Sequence, residues 1–111
     1  QIYYSTHKII YGVNYLYAKL VFHEKRILSE RDIVEMKIWK IPKSKDFPDM
    51  VKYSFVFIHD KERILGYDNE RGKGHHKHYK GTEIKIKFKD PELLFLQFKK
   101  EVEDLMKELY K

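Results

Sequence analysis

Glu83-Ile-Lys-Ile-Lys-Phe-Lys-Asp-Pro-Glu92 is the stretch that decides the fold, because one secondary-structure period gives way to another inside it. From Glu83 to Lys89 apolar and charged residues alternate strictly, the period of a half-buried strand. Ile84, Ile86 and Phe88 are expected to face the core, and Lys85, Lys87 and Lys89 to form a cationic row. Asp90-Pro91-Glu92 then reads as a helix start: a capping oxygen, a proline at the first helical position, and an acid at the positive end of the dipole. Beyond it Leu94, Phe98, Val102, Leu105 and Leu109 recur at helical spacing, with Phe95 and Met106 in support. Lys99, Lys100, Glu103, Asp104 and Lys107 occupy the opposite face, so the helix is expected to cover one face of a sheet.

Upstream, the same period of two recurs. Tyr15 to Arg26 places Leu16, Ala18, Leu20 and Phe22 on one face and Lys19, His23 and Lys25 on the other. Asp32 to Ile41 repeats it, with Val34, Met36 and Ile38 inward, and the short link Ser29-Glu-Arg-Asp32 suits a hairpin turn. Pro42 ends that strand, because proline cannot donate to the ladder. Tyr53 to Ile58 is apolar on both parities except at Ser54, which suggests a central strand partly covered on both faces. Arg63 to Tyr67 follows after a turn at His59-Asp-Lys-Glu62. The expected class is α+β: an antiparallel meander of about five strands with the C-terminal helix, from about Pro91 to Leu109, packed on one face. Residues 15–111 are read as one domain, and residues 1–14 as a tyrosine-rich arm that fits a strand, a short helix or an extended segment equally well.

Composition sets limits. One modest core is what 111 residues can build, and 42% hydrophobic with 36% charged residues belongs to the soluble globular class. No stretch has the apolar length to cross a bilayer, so no membrane role is expected. Cysteine is absent, which removes disulfides, thiolate nucleophiles and cysteine-ligated zinc together and fits the cytoplasm. Lysine outnumbers arginine and glutamine is scarce, a bias common in thermophiles. The net charge of +6 is concentrated: Arg71 to Lys89 holds seven cations against one acid, Glu83. Such a field attracts nucleic acid or an acidic protein, or it is a plain lysine-rich surface.

The least core-like run is Gly66-Tyr-Asp-Asn-Glu-Arg-Gly-Lys-Gly-His-His-Lys-His-Tyr-Lys80, which packs two acids, four cations, an amide and three imidazoles among three glycines. Groups of this kind bind phosphate, move protons near neutral pH or hold a metal, and they also suit a solvated hairpin connection. The run and its flanks resemble the TumE family of toxins. Ala18-Lys-Leu-Val-Phe-His-Glu-Lys-Arg-Ile-Leu28, Val34-Glu-Met-Lys-Ile-Trp-Lys-Ile-Pro42 and above all Leu65-Gly-Tyr-Asp-Asn-Glu-Arg-Gly-Lys-Gly-His-His-Lys-His78 carry the resemblance, which covers about residues 15 to 108. The chain departs from the pattern at His75, where an acid often precedes His-basic-His, so His76 and His78 are the better matches. The resemblance implies the toxin of a type II toxin–antitoxin pair, neutralised by a helix-turn-helix antitoxin, and leaves open an oligomer with it.

Small toxins of this size usually act on RNA or translation. Metal-free RNA cleavage needs a base for the 2′-hydroxyl, a cation for the phosphate and an acid for the leaving oxygen. His76 and His78, two apart on a strand, would point to one face roughly 7 Å from each other. Arg71 and Lys73 are candidates to meet the developing charge, and Asp68 to orient an imidazole. Asn69 and Tyr67 are candidate base contacts, and Lys77, Lys80, Lys85 and Lys87 candidate phosphate contacts. This reading needs no cofactor and no metal. Two others stay open: a metal-dependent nuclease gripping an ion through His76, His78 and Asp68, and a non-catalytic basic module that stacks nucleic acid on Tyr67 or Tyr79.

Overall fold

Strand periods and a one-sided helix build a wider sheet than about five strands. The computed structural model describes residues 5–11, 14–70 and 72–111, with side chains described from residue 18 onward. Among the described residues seven strands pair antiparallel in chain order: β1 (Ser5–Tyr11), β2 (Asn14–Ser29), β3 (Asp32–Lys40), β4 (Val51–His59), β5 (Glu62–Asp68), β6 (His76–Tyr79) and β7 (Thr82–Lys85). The helix α1 (Pro91–Leu109) packs on one face. The α+β class and the C-terminal helix are as expected. The added strands are β1, from the tyrosine-rich arm, and β6, inside the polar run. Apolar alternation does not reveal β6, because it exchanges core residues for histidines and lysine.

Two expectations about faces need correction. Leu16, Ala18, Leu20 and Phe22 do not share one face, because a bulge between Leu20 and Phe22 shifts the register of β2 against β3. A bulge adds a residue and so inverts the parity beyond it. Ala18 therefore joins Ile41, Phe47 and Trp39 in a second cluster, while Phe22 meets Phe95 of the helix edge-on at 5.2 Å. The side chain of Leu16 lies outside the described residues. The expected strand to Lys89 also stops early, at Lys85. Ile84, on the edge strand, is 43% exposed, whereas Ile86 and Phe88 pack against the core after the strand has ended.

The core lies between α1 and the alternating residues of the central strands. Val34 and Met36 of β3, Tyr53, Phe55 and Phe57 of β4, and Leu65 and Tyr67 of β5 are buried against Leu94, Phe98 and Val102. Leu105 and Met106 are partly buried, and Leu109 is exposed. Asp90 caps the helix, its carboxylate accepting from Leu93 N at 2.8 Å. β4 is less enclosed than its two-parity apolar run suggests, since Lys52, Ser54, Val56 and Ile58 on its far side are only half-buried.

The helix C-terminus is tied to the sheet through Asp32, which is fully buried. Ser29 Oγ donates to one carboxylate oxygen at 2.6 Å, His59 Nδ1 meets the other at 2.6 Å, and the Tyr110 hydroxyl donates as well. Burial by itself raises the Asp32 pKa, but the bonds from Ser29, Tyr110 and His59 together outweigh it and hold the carboxyl below its ordinary value. A depressed folded-state pKa stabilises fully above the unfolded value and loses that stabilisation as pH falls through the folded one. Urea titration should therefore show native stability falling below about pH 4, with a flatter acid limb in Asp32→Asn. Asp32→Ala should cost about 3 kcal/mol at neutral pH, because Ser29, His59 and Tyr110 all lose a buried acceptor.

Candidate functional site

The register places Asp68, His76 and His78 of the polar run on the sheet face that α1 leaves open. Ser54 of β4 pairs with Asp68 of β5, Asp68 with His76 of β6, and His76 with Lys85 of β7. The next row runs Val56, Gly66, His78, Glu83. Side chains in adjacent positions of such rows share a face. Asp68, His76 and His78 thus converge: His76 Nε2 lies 2.8 Å from Asp68 Oδ1 and His78 Nε2 3.3 Å from Asp68 Oδ2. The two imidazoles meet edge-on with centroids 4.8 Å apart, closer than the spacing of the backbone alone. Glu83 Oε1 stands 3.5 Å from His76 Nε2.

The two histidines are not equivalent. His76 is 1% exposed, whereas the side chain of His78 is 21% exposed. His76 Nδ1 lies 3.0 Å from the Gly74 carbonyl, which can only accept, so Nδ1 carries the proton. Gly74 has φ +74°, a left-handed conformation that glycine adopts without strain and that belongs to the turn delivering this carbonyl.

His75, the departure from the family pattern, belongs to the other side. Its ring stacks on Phe88 at 4.1 Å and 7°. Burial pushes the Tyr53 hydroxyl pKa well up, so the hydroxyl stays protonated and donates to His75 Nδ1 at 2.9 Å. The ring's Nε2–H donates to Asp49 at 2.8 Å. This anchor fixes the glycine-rich turn from behind and leaves His76 directed to the open face.

The remaining candidates scatter. Lys85 stands beside His76, exposed on the edge strand. Lys73 is exposed and lies 3.5 Å from Glu70. Arg71 lies outside the described residues. Asn69 is buried, its amide oxygen accepting from Tyr53 N at 2.9 Å and its nitrogen donating to Val51 O at 2.7 Å, so both polar atoms of its side chain are engaged in extending the β4–β5 ladder. Tyr67 and Lys77 point to the helix side: both bond to Glu101, Lys77 Nζ at 3.1 Å. Lys87 is exposed on the same side, near Tyr67 and Lys77. Lys80, in the β6–β7 turn, lies over the Tyr79 ring at 5.3 Å.

Sequence reasoning missed Arg63 and Glu83 as site residues. A Cβ on Gly66 would meet Arg63 Cδ at 3.2 Å, so the glycine lets the arginine cross the face beside His78, the cross-strand partner of Gly66. No sequence period reveals this, because a register shift after Phe57 sets the side of Arg63. The parity of Lys77 was legible: one residue from each histidine on a strand, it has to face away from both.

A family model described as Toxin TumE matches residues 3–106. The chain belongs to the TumE toxin family. No curated protein and no solved structure matches it. Membership gives this TumE-family chain a toxin's role and implies an antitoxin as its partner. No helix among the described residues is long and apolar enough to cross a membrane. Asn69 supplies the prediction for this geometry: Asn69→Ala should destabilise the fold by about 2 kcal/mol in urea titration, through two lost buried bonds. Any loss of growth arrest should vanish once protein is matched for folded fraction.

Proposed function

We propose that this toxin arrests growth by cleaving RNA on the open sheet face, with Asp68, His76 and His78 as the reaction centre, and that its antitoxin is a helix-turn-helix protein. The observation that carries the reading is the convergence of these three side chains on the face where Lys85 and Arg63 also stand. Titratable groups gathered on a polar face beside cations suit phosphodiester chemistry better than they suit core packing. A non-catalytic basic surface accounts for the lysines but not for a buried imidazole held in one tautomer against a carboxylate.

In RNA the 2′-oxygen attacks phosphorus, its proton passes to a base, and the following 5′-oxygen departs and gains a proton. Lys85 and Arg63 supply positive charge for the crowded phosphate, with Lys73 of the adjoining turn, and Arg71 by its place in the sequence, as further candidates. A metal-free acid–base pair on opposite sides of one phosphate fits this geometry poorly. His76 has no exposed surface to reach a substrate, and Asp68 already fills the space between the rings. The cluster therefore acts as one unit from one side of the phosphate, fronted by Asp68 and His78.

Purified protein incubated with labelled RNA should cleave it, and His78→Ala should abolish cleavage and growth arrest while the far-ultraviolet spectrum stays unchanged. Lys85→Ala should instead weaken RNA binding and reduce its salt dependence by about one ion, since a phosphate contact acts mainly through counterion release. Full toxicity of the double variant His76→Ala, His78→Ala at matched soluble protein would overturn the reading. Co-expression with the neighbouring helix-turn-helix protein should restore growth and give a joint gel-filtration peak; separate peaks with continued arrest would refute that partner.

A further inference from the structure

His76 Nε2 has no hydrogen-bond partner although the atom is buried. It lies 2.8 Å from Asp68 Oδ1 and 3.5 Å from Glu83 Oε1, yet is aligned with neither for a hydrogen bond. The proton is on Nδ1, committed to the Gly74 carbonyl, so in the uncharged ring Nε2 presents a bare lone pair to two carboxylates. Two electron-rich atoms at that distance repel unless something positive stands between them. Donor atoms of Asp68, His76 and His78 all fall within 4.8 Å of one another.

We infer that Asp68, His76 and His78 form a binding site for one divalent transition-metal cation. Two imidazole nitrogens and one carboxylate are a donor set that suits zinc and its first-row neighbours better than magnesium, which prefers six oxygens. A ligating histidine commonly donates its other N–H to a backbone carbonyl, fixing ring and tautomer, and His76 does so to Gly74. Asp68 reaches toward both rings through different oxygens, so its carboxylate can close on an ion without leaving its strand. Glu83, half exposed, stands beside the site as a fourth ligand or as the acceptor for a proton from ion-bound water. Three protein ligands leave a position open, on the side where His78 and Lys85 meet solvent. This inference rests on the proposed RNA-directed chemistry only for the use of that position, which would take a phosphate oxygen. The spacing of the rings, too short to hold a phosphate between them, is a natural one around a single cation.

The test is calorimetric titration of the full chain, stripped with EDTA, using Zn2+ and then Mn2+ alone, with metal analysis after dialysis. One Zn2+ per chain is expected, and His78→Gln or Asp68→Asn should weaken binding by about 100-fold or more. Co2+ in place of zinc should give a visible absorption band that His78→Gln abolishes. His76→Gln alters a buried side chain and can simply unfold, so His78→Gln carries the test, with circular dichroism confirming its fold and zinc raising the melting temperature of the parent but not of the variant. Absence of saturable binding, or binding unchanged in both variants, overturns the site. RNA cleavage by the same preparation, assayed stripped and again after Zn2+ is restored, separates the two ideas. Cleavage without metal uptake refutes the metal site and keeps the nuclease, whereas metal uptake without cleavage keeps the site and refutes the nuclease.

Discussion

One constraint organises the molecule: side chains alternate along a strand, and α1 covers only one face of the sheet. Once Phe55 and Tyr67 are committed to Phe98, with ring centroids 5.5 and 5.4 Å away, their neighbours Ser54 and Asp68 have to face the open side. The pairing of β5 with β6 then extends the partition, sending Lys77 to Glu101 beneath the helix and His76 with His78 outward. A slip of one residue would reverse all of this at once, burying Asp68 under α1. The packing that stabilises the core and the placement of the polar cluster are therefore the same fact. Asn69 guards that register at the end of β5, where its side chain replaces the next rung of the ladder.

The consecutive histidines are turned to opposite sides of the sheet. His75 is held on one side by Tyr53, Asp49 and Phe88, and that anchor fixes the turn from which His76 enters β6 on the other. Gly74 and Gly66 serve the cluster from its two flanks. The first delivers a carbonyl to His76, and the second leaves room for Arg63 to cross beside His78. A rigid cluster of this kind has its orientation cost met by folding, which is what a binding or catalytic site requires.

The α+β class and the helix were legible because Leu94, Phe98 and Val102 recur at helical spacing behind an Asp-Pro start. The strand β3 was legible from its alternation and β4 from an apolar run on both parities, although each buries only one. The bulge near Val21 was not, since an inserted residue leaves no compositional trace, and it divided a stripe that looked continuous. The edge position of β7 was equally hidden: Ile84 has the period of a core residue, but the core does not reach it. At the site, the pairing of His76 with His78 could be read from their spacing. Asp68, Arg63 and Glu83 join them only through strand register, which depends on turns and bulges far from the motif. Tyr67 and Lys77 looked like ligand contacts because composition counts them in the same run, while parity assigns them to the helix.

The central claim is that chemistry resides on the open face and not in the polar run as a whole. Asp68 and Lys77 test it most directly, since both are charged, both lie within the family motif and the sheet sends them to opposite sides. Growth arrest should be measured for Asp68→Asn and Lys77→Ala at matched levels of folded protein. The account predicts that Asp68→Asn loses arrest while Lys77→Ala retains it, with at most a modest loss of stability from the broken Glu101 contact. Arrest that survives in Asp68→Asn and disappears in a well-folded Lys77→Ala would contradict it.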